Sequence, residues 1–342
     1  MGKKLVLSIL LALFFMGCAP EFIPVAEPSL SPAPVFTNTP SPTPIPTPSP
    51  TPEITPIPVP KAFSLIWISD TQNMLANNAA PIHGMTQWIA ENREALNIRY
   101  VVHTGDVVSN GTRDADWDLV LPAFQKLPKD LPLMTIAGNH DVGEYWEYDT
   151  YLRRRLDTPL PEEQLFQGGL GSYATLETDV GKFLIAGMSM KMGTAGYDWL
   201  NAVLARYPDH ICILALHDYL VSGKRHSSEG ERVFRQVVKH NPNVRFVLCG
   251  HNRGVALKRD RVDDNKDRKA DRIVYQMLYN FQDDIVQMGY LRILTFQTDG
   301  SLQVTTYSPW LDDYNYYPSR NQDETFLIPD AFPVLQPAIP TP

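Results

Sequence analysis

Five apolar runs in this sequence each end in side chains able to bind a cation or move a proton. Asp70-Thr71-Gln72 closes the run 63–69, Gly105-Asp106 closes 100–104, and Gly138-Asn139-His140-Asp141 closes 133–137. His217-Asp218 follows 211–216, and Gly250-His251-Asn252 follows 244–249. Carboxylates, an amide oxygen and imidazoles together suit a first-row divalent metal such as Mn, Fe or Zn. The glycines let the backbone turn sharply and bring a ligand inward. Singly these pieces say little: a lone histidine at a strand end is commonly a satisfied hydrogen-bonder, and Asp70-Thr71 could cap a helix. Their weight comes from recurrence at one place, the carboxyl end of a strand, where open α/β sheets hold their ligands.

Strands and helices must hold those five ends together. Short β-branched runs alternate with helical spacing. Helices are expected over 81–96, over part of 114–127 with an interruption at Pro122, over 197–207 and over 229–240. Residues 173–176 and 183–186 flank Asp179-Val180-Gly181 as a hairpin. After His251 the pattern changes to strand-like runs at 274–279, 291–297 and 302–307. The alternation predicts a layered α/β fold. From Phe326 the chain turns Pro-rich and reads as a tail lying loosely on the surface.

In order, D-x-Q, GD, GNHD, a lone H and G-H-x-R resemble the calcineurin-like metallophosphoesterases, whose pattern runs D-x-H, GD, GNH(D/E), H and G-H-x-H. The resemblance covers about residues 63–310 and implies two packed mixed β-sheets flanked by helices. It also implies hydrolysis of phosphate mono- or diesters. Asp106 would bridge two metals; Asn139, His217 and His251 would complete one site; Asp70, with Gln72, would hold the other. Two metals about 4 Å apart clamp a phosphoryl group and activate a bridging water for in-line attack. His140 would protonate the leaving-group oxygen or stabilise charge there. Asp141 accompanies it as a catalytic candidate that orients its neighbours, or else caps a helix. Asn139 is also a substrate-binding candidate.

Two departures fall on one metal. Gln72 stands where the family has histidine and offers only a neutral amide oxygen. Arg253 stands where the last histidine belongs, and a guanidinium cannot coordinate metal, although it can hold a phosphate oxygen. The expectation is a weak or vacant Asp70 site with Arg253 gripping phosphate. The alternative is that Arg253 points away and Asn252 or water fills the gap. Ser109 and Asn110, within GDVVSNG, lack the Asp and Arg of the protein serine/threonine phosphatase branch. A degenerate, catalytically weak binding module of the same fold is the rival to a hydrolase.

The rest of the chain sets the context. Residues 1–17 read as a secretory leader, with Lys3 and Lys4 before an apolar core. Phe15-Met16-Gly17-Cys18 resembles a bacterial lipobox, so Cys18 is expected to carry acyl chains such as palmitate and to anchor the protein to the cell envelope outside the cytoplasm. Half of the 30 prolines lie in 19–60, so 18–60 reads as an extended lipidated stalk before a domain at 61–325 and a tail at 326–342. The formal net charge of −8 argues against a general grip on nucleic acid and leaves phosphorylated small molecules or polymers as substrates. Cys212 and Cys249 read as buried small hydrophobes. Lys224, Arg225 and His226 read as a solvated loop, with a phosphate contact as the lesser option. Asp263, Asn265, Asp267 and Asp271 have the spacing of a calcium loop, but Arg268 occupies the turn glycine's place, so a charged hairpin is the better expectation.

Overall fold

The computed structural model describes residues 59–77, 79–282, 288–317, 319 and 321–334. The leader, Cys18 and the stalk lie outside them. No helix among the described residues is long and apolar enough to cross a membrane.

The strands, in chain order, begin with β1 (Phe63–Ile68), β2 (Ile98–His103), β3 (Leu133–Thr135), β4 (Leu165–Phe166), β5 (Gly171–Thr178), β6 (Gly181–Met188) and β7 (Ile211–Leu216). They continue with β8 (Leu220–Val221), β9 (Arg225–His226), β10 (Val244–Cys249), β11 (Gly254–Val262), β12 (Arg272–Asn280), β13 (Leu291–Phe296), β14 (Leu302–Ser308), β15 (Asp313–Tyr314) and β16 (Phe326–Ile328). One mixed sheet runs β15-β14-β13-β1-β2-β3 with β16 beside β14, and a second runs β11-β12-β10-β7-β6-β5-β4. The parallel pairs β1–β2, β2–β3, β6–β7, β7–β10 and β10–β12 point the carboxyl ends of these central strands one way within each sheet. The helices are α1 (Gln72–Asn77), α2 (Ala80–Asn92), α3 (Asp114–Phe124), α4 (Asn139–Val142), α5 (Tyr148–Arg154), α6 (Gly193–Arg206), α7 (Ser228–Gln236) and α8 (Asn321–Glu324).

Central strands are buried on both faces and therefore read as unbroken apolar runs. Along β1, Leu65 and Trp67 share a core with Ile213, Phe246 and Leu248 of the other sheet, while Ile66 and Ile68 share one with Ile82, Met85 and Ile89 of α2. Helices thus cover the outer faces and the two sheets pack on each other, as the sequence led us to expect. Phe296 anchors the inter-sheet layer, stacked on Phe63 at 4.9 Å and edge-on to Phe183 at 4.9 Å.

Several local expectations need correction. Pro122 sits in the last turn of α3, which ends only two residues later, so it costs the helix little. β11 gave no clear strand signal, because Lys258, Arg259, Asp260 and Arg261 interrupt its apolar positions; it is an edge strand, where charge is tolerated. The chain after Phe326 does not lie loosely at first: β16 pairs with β14, and Phe332 packs 5.7 Å from Phe183 and 5.5 Å from Phe296. Residues 335–342 lie outside the described set.

Cys212 and Cys249 are buried free thiols, raised by that burial. Residues 263–271 form the β11–β12 turn. There Asp263 accepts from the backbone of Lys266, Asp267 and Arg268, and Asp271 from Asp264 and Asn265. The oxygens proposed for calcium are turned onto the loop's own backbone, as in a charged hairpin.

Candidate metal centre

Asp70, Asp106 and Asn139 follow β1, β2 and β3 of the first sheet, and His217 and His251 follow β7 and β10 of the second. Asp70, Asp106 and His251 hold left-handed backbone, with φ of 50°, 54° and 65°. For side chains other than glycine this costs on the order of 1–3 kcal/mol each, so the surrounding fold must impose it. Gly138 and Gly250 leave the room required: a Cβ on Gly138 would collide with Asp106 and His217, and one on Gly250 with Ser69 and Asp70. Behind the loops, buried His103 accepts from Gly105 N–H at 3.2 Å and donates to Thr71 Oγ1 at 3.1 Å. Thr71 in turn donates to Val107 O at 2.8 Å, locking the first two loops together. Burial lowers His103 to about 3, which keeps it neutral.

His217 Nδ1 lies 2.7 Å from Thr104 O and donates to it. That bond turns Nε2 inward, 3.3 Å from Asp106 Oδ2 and 3.3 Å from Asn139 Oδ1. The ligand atoms of Asp106, His217 and His251 all lie within 4.8 Å of one another. Burial alone would lower the His217 imidazole, but Asp106, Asp70 and the Thr104 carbonyl push it up to about 10. Burial raises Asp70 to about 7, with Asp106 adding to the effect, and the same two causes raise Asp141 to about 7. Burial thus penalises the Asp70 and Asp141 carboxylates, while the Asp106 carboxylate favours a positive charge beside it, whether a proton or a metal.

Gln72 supplies an independent sign. It is 2% exposed, and its Nε2 donates to Asp106 Oδ2 at 3.1 Å. A carboxylate only accepts, so the amide nitrogen must face it. Gln72 Oε1 is left buried with no hydrogen-bond partner. An orphaned buried acceptor calls for a cation or a donor. Asp106, Asn139, His217 and His251 fit one divalent metal by donor type and placement. The Asp70 side fits less well, because its carboxylate already accepts from His251 N–H at 3.0 Å, from Gln282 Nε2 at 3.3 Å and from Ser69 Oγ.

The other candidates separate clearly. Asp141 is fully buried: Oδ1 accepts from Val107 N at 2.8 Å and Val108 N at 3.1 Å, and Oδ2 accepts from Gly138 N at 2.9 Å. Through these bonds it caps α4 and ties two site loops together, consistent with the orienting or capping place considered for it. His140 donates through its backbone to Asp106 Oδ1 at 2.9 Å. Its Nδ1 lies 3.0 Å from Ser109 O and donates there, which makes Nε2 the ring's acceptor nitrogen. His140 lines a cleft of about 290 Å³ with Gln72, Asp106, Asn139, His251, Arg253 and Gln282. Asn252 donates through Nδ2 to Leu220 O at 3.0 Å and to Asp218 Oδ1 at 3.3 Å. Lys224 pairs with Asp323 at 2.8 Å and His226 with Glu231 at 3.0 Å, which uses them within the fold.

Gln282 and Asn280 went unnoticed in the sequence. Asn280 donates to His251 O at 3.0 Å and accepts from Gln282 N at 3.0 Å, so it sets both. Their signal was the familiar one, polar residues ending an apolar strand, but no short motif marks them.

Two mixed sheets with a metal-ligand cluster at their strand ends define a metallophosphoesterase domain. Residues 63–252 match the calcineurin-like phosphoesterase family, to which this chain belongs. It is 34% identical over 285 residues to the uncharacterized protein YvnB of Bacillus subtilis (strain 168), covering 80% of this chain but only 22% of that protein. The fold is shared with a purple acid phosphatase from yellow lupin (Lupinus luteus) seeds, at TM-score 0.54 and 14% identity over 79% of this chain and 54% of that one. It is also shared with a dimetal phosphatase from Danio rerio, at TM-score 0.52 and 11% identity over 78% of this chain and 98% of that one.

Proposed function

We propose that this domain hydrolyses phosphate mono- or diesters with a divalent metal, Mn, Fe or Zn, outside the cytoplasm. The observation that carries this reading is the convergence of buried Asp106 and His217 with half-buried Asn139 and His251, beside a cleft that also contains His140. When bound, the metal supplies Lewis acidity and lowers the pKa of water. The chain's own residues do the rest. Thr104 fixes the His217 tautomer, Asp141 holds the Gly138 and Val107 loops in register, and His140 Nε2 exchanges a proton with the leaving-group oxygen. Arg253 holds a phosphate oxygen from the cleft wall.

The two halves of the centre are unequal in this reading. One metal binds tightly at His217 and His251; the Asp70 side binds weakly or not at all. Chelation, reloading with each metal in turn, and metal counting beside p-nitrophenyl phosphate and bis(p-nitrophenyl) phosphate assays test both points. The expected result is metal-dependent turnover with one tight metal per chain, and two in the Gln72→His, Arg253→His double variant. Two tight metals in the native chain would refute the inequality. Metal binding without turnover of either ester would instead favour the weak binding module.

The same proposal places the domain on the envelope through a lipidated Cys18, with residues 18–60 as its stalk. The charged, apolar and small-residue segments of the leader occur in the order that processing requires. Mass spectrometry of the mature N-terminus should find cleavage after Gly17 and an acylated Cys18. An unmodified Cys18 in released protein would sink the anchor.

A further inference from the structure

A second cleft, of about 620 Å³, meets the first at Asn139 and His140. Its size lies within the range of small-molecule sites. In the proposed reaction His140 protonates the leaving group, so the leaving group extends away from phosphorus on the His140 side, into this second cleft. The wall there is the loop between α4 and α5, which contributes Glu144, Tyr145, Trp146 and Glu147. The loop is closed on itself by Glu147 N–H to Val142 O at 2.8 Å and Trp146 N–H to Gly143 O at 3.3 Å.

The chemistry of that wall is one-sided. No lysine or arginine lines this cleft. Glu144 and Glu147 are exposed and have no ion-pair partner among the described residues. Tyr145 is 83% exposed. Trp146 shows that a ring in this loop takes an alkylammonium, but its own is Lys191, whose Nζ lies 3.6 Å from the ring centroid, so Tyr145 is the aromatic side chain open to a ligand. A wall of this kind repels further phosphates and carboxylates. Aromatic faces with nearby carboxylates instead attract an organic cation.

We propose that the leaving group is a positively charged amino alcohol of the choline or ethanolamine type, received by Tyr145, Glu144 and Glu147. This inference rests on the hydrolase reading and goes on to name its substrate class. It makes the Gly143–Glu147 loop the specificity element of the domain.

A matched pair of substrates tests it: phosphocholine, and 3,3-dimethylbutyl phosphate, its uncharged isostere. The metal-loaded chain should favour phosphocholine at least tenfold in kcat/KM. Tyr145→Ala, and Glu144→Gln with Glu147→Gln, should bring that ratio towards one, whereas Tyr145→Phe should keep it. Because the readout is a ratio, a variant that is merely less stable leaves it unmoved. Choline release from glycerophosphocholine, run alongside, separates a diester source from a monoester one. A native ratio near one, or a preference untouched by the variants, would overturn the proposal while leaving p-nitrophenyl phosphate hydrolysis intact. Failure to hydrolyse any ester would overturn the hydrolase reading and this inference with it.

Discussion

Asp106→Asn should cost the domain its metal and its turnover together. Asp106 is 2% exposed, and both of its oxygens face donors: His140 N–H at 2.9 Å and Gln72 Nε2 at 3.1 Å. Asparagine offers one acceptor and one donor, so one of those N–H groups would meet another N–H. An unsatisfied buried group costs about 1–3 kcal/mol, and the variant should melt earlier yet remain folded at room temperature. The larger effect is electrostatic. The Asp106 carboxylate is the leading influence that raises His217 against burial, and the same charge draws in a cation. Outer partners of metal ligands alone are worth roughly 10–100-fold in affinity, so losing a central carboxylate should exceed about 100-fold. Loss of several kcal/mol of Lewis-acid stabilisation amounts to about a thousandfold or more in rate. Metal counting beside a thermal melt checks this; a folded variant with full metal content would contradict it.

His140→Ala should behave differently. Asp106 uses the backbone N–H of His140, and alanine keeps it. The His140 ring bonds only to Ser109 O among the contacts seen here and lies at the junction of the two clefts. Removing the ring should therefore leave metal content near normal and lower turnover by roughly a hundredfold or more, the range of general acid–base catalysis. The loss should shrink for esters with acidic leaving groups, which need little protonation. A metal-free His140→Ala chain would make the residue structural and remove it from the chemistry.

The contrast between these two residues shows what sequence could and could not reveal. The positions of Asp70, Asp106, Asn139, His217 and His251 were legible because each follows an apolar strand, and strand ends in parallel sheets converge on one edge. How far apart His140 and Asp141 are placed was not legible. Both follow Asn139 directly, yet the turn of α4 leaves His140 at the clefts and drives Asp141 beneath the loops, where three backbone N–H groups take its carboxylate. Gln282 was missed for a related reason. It comes 212 residues after Asp70 and reaches it only because β12 lies beside β10 in the second sheet, a pairing that no local pattern encodes. β16 escaped because a three-residue strand among prolines has no period to read; it is held by Phe332 and β14 more than by its own propensity. Lys224 read as part of a solvated loop, and its partner Asp323, 99 residues on, could not be foreseen from local pattern.

The inequality proposed for the centre rests on the same logic of donors and acceptors. His217 and His251 bring imidazoles to Asp106, while the Asp70 carboxylate is surrounded by N–H and O–H groups, and Gln72 has only one oxygen to offer. An arginine at 253 brings a guanidinium cation to the cleft, one suited to phosphate. The domain is then expected to combine a metal and a guanidinium where relatives of its pattern use histidine.

The most direct test of the central claim is hydrolysis of a phosphate ester in ¹⁸O-labelled water, by the chelated chain and by the same chain after one divalent metal is restored. Metal-driven attack of water on phosphorus predicts no turnover after chelation, recovery on reloading, and the label in the released phosphate. Turnover that survives chelation, or label found in the alcohol, would contradict it.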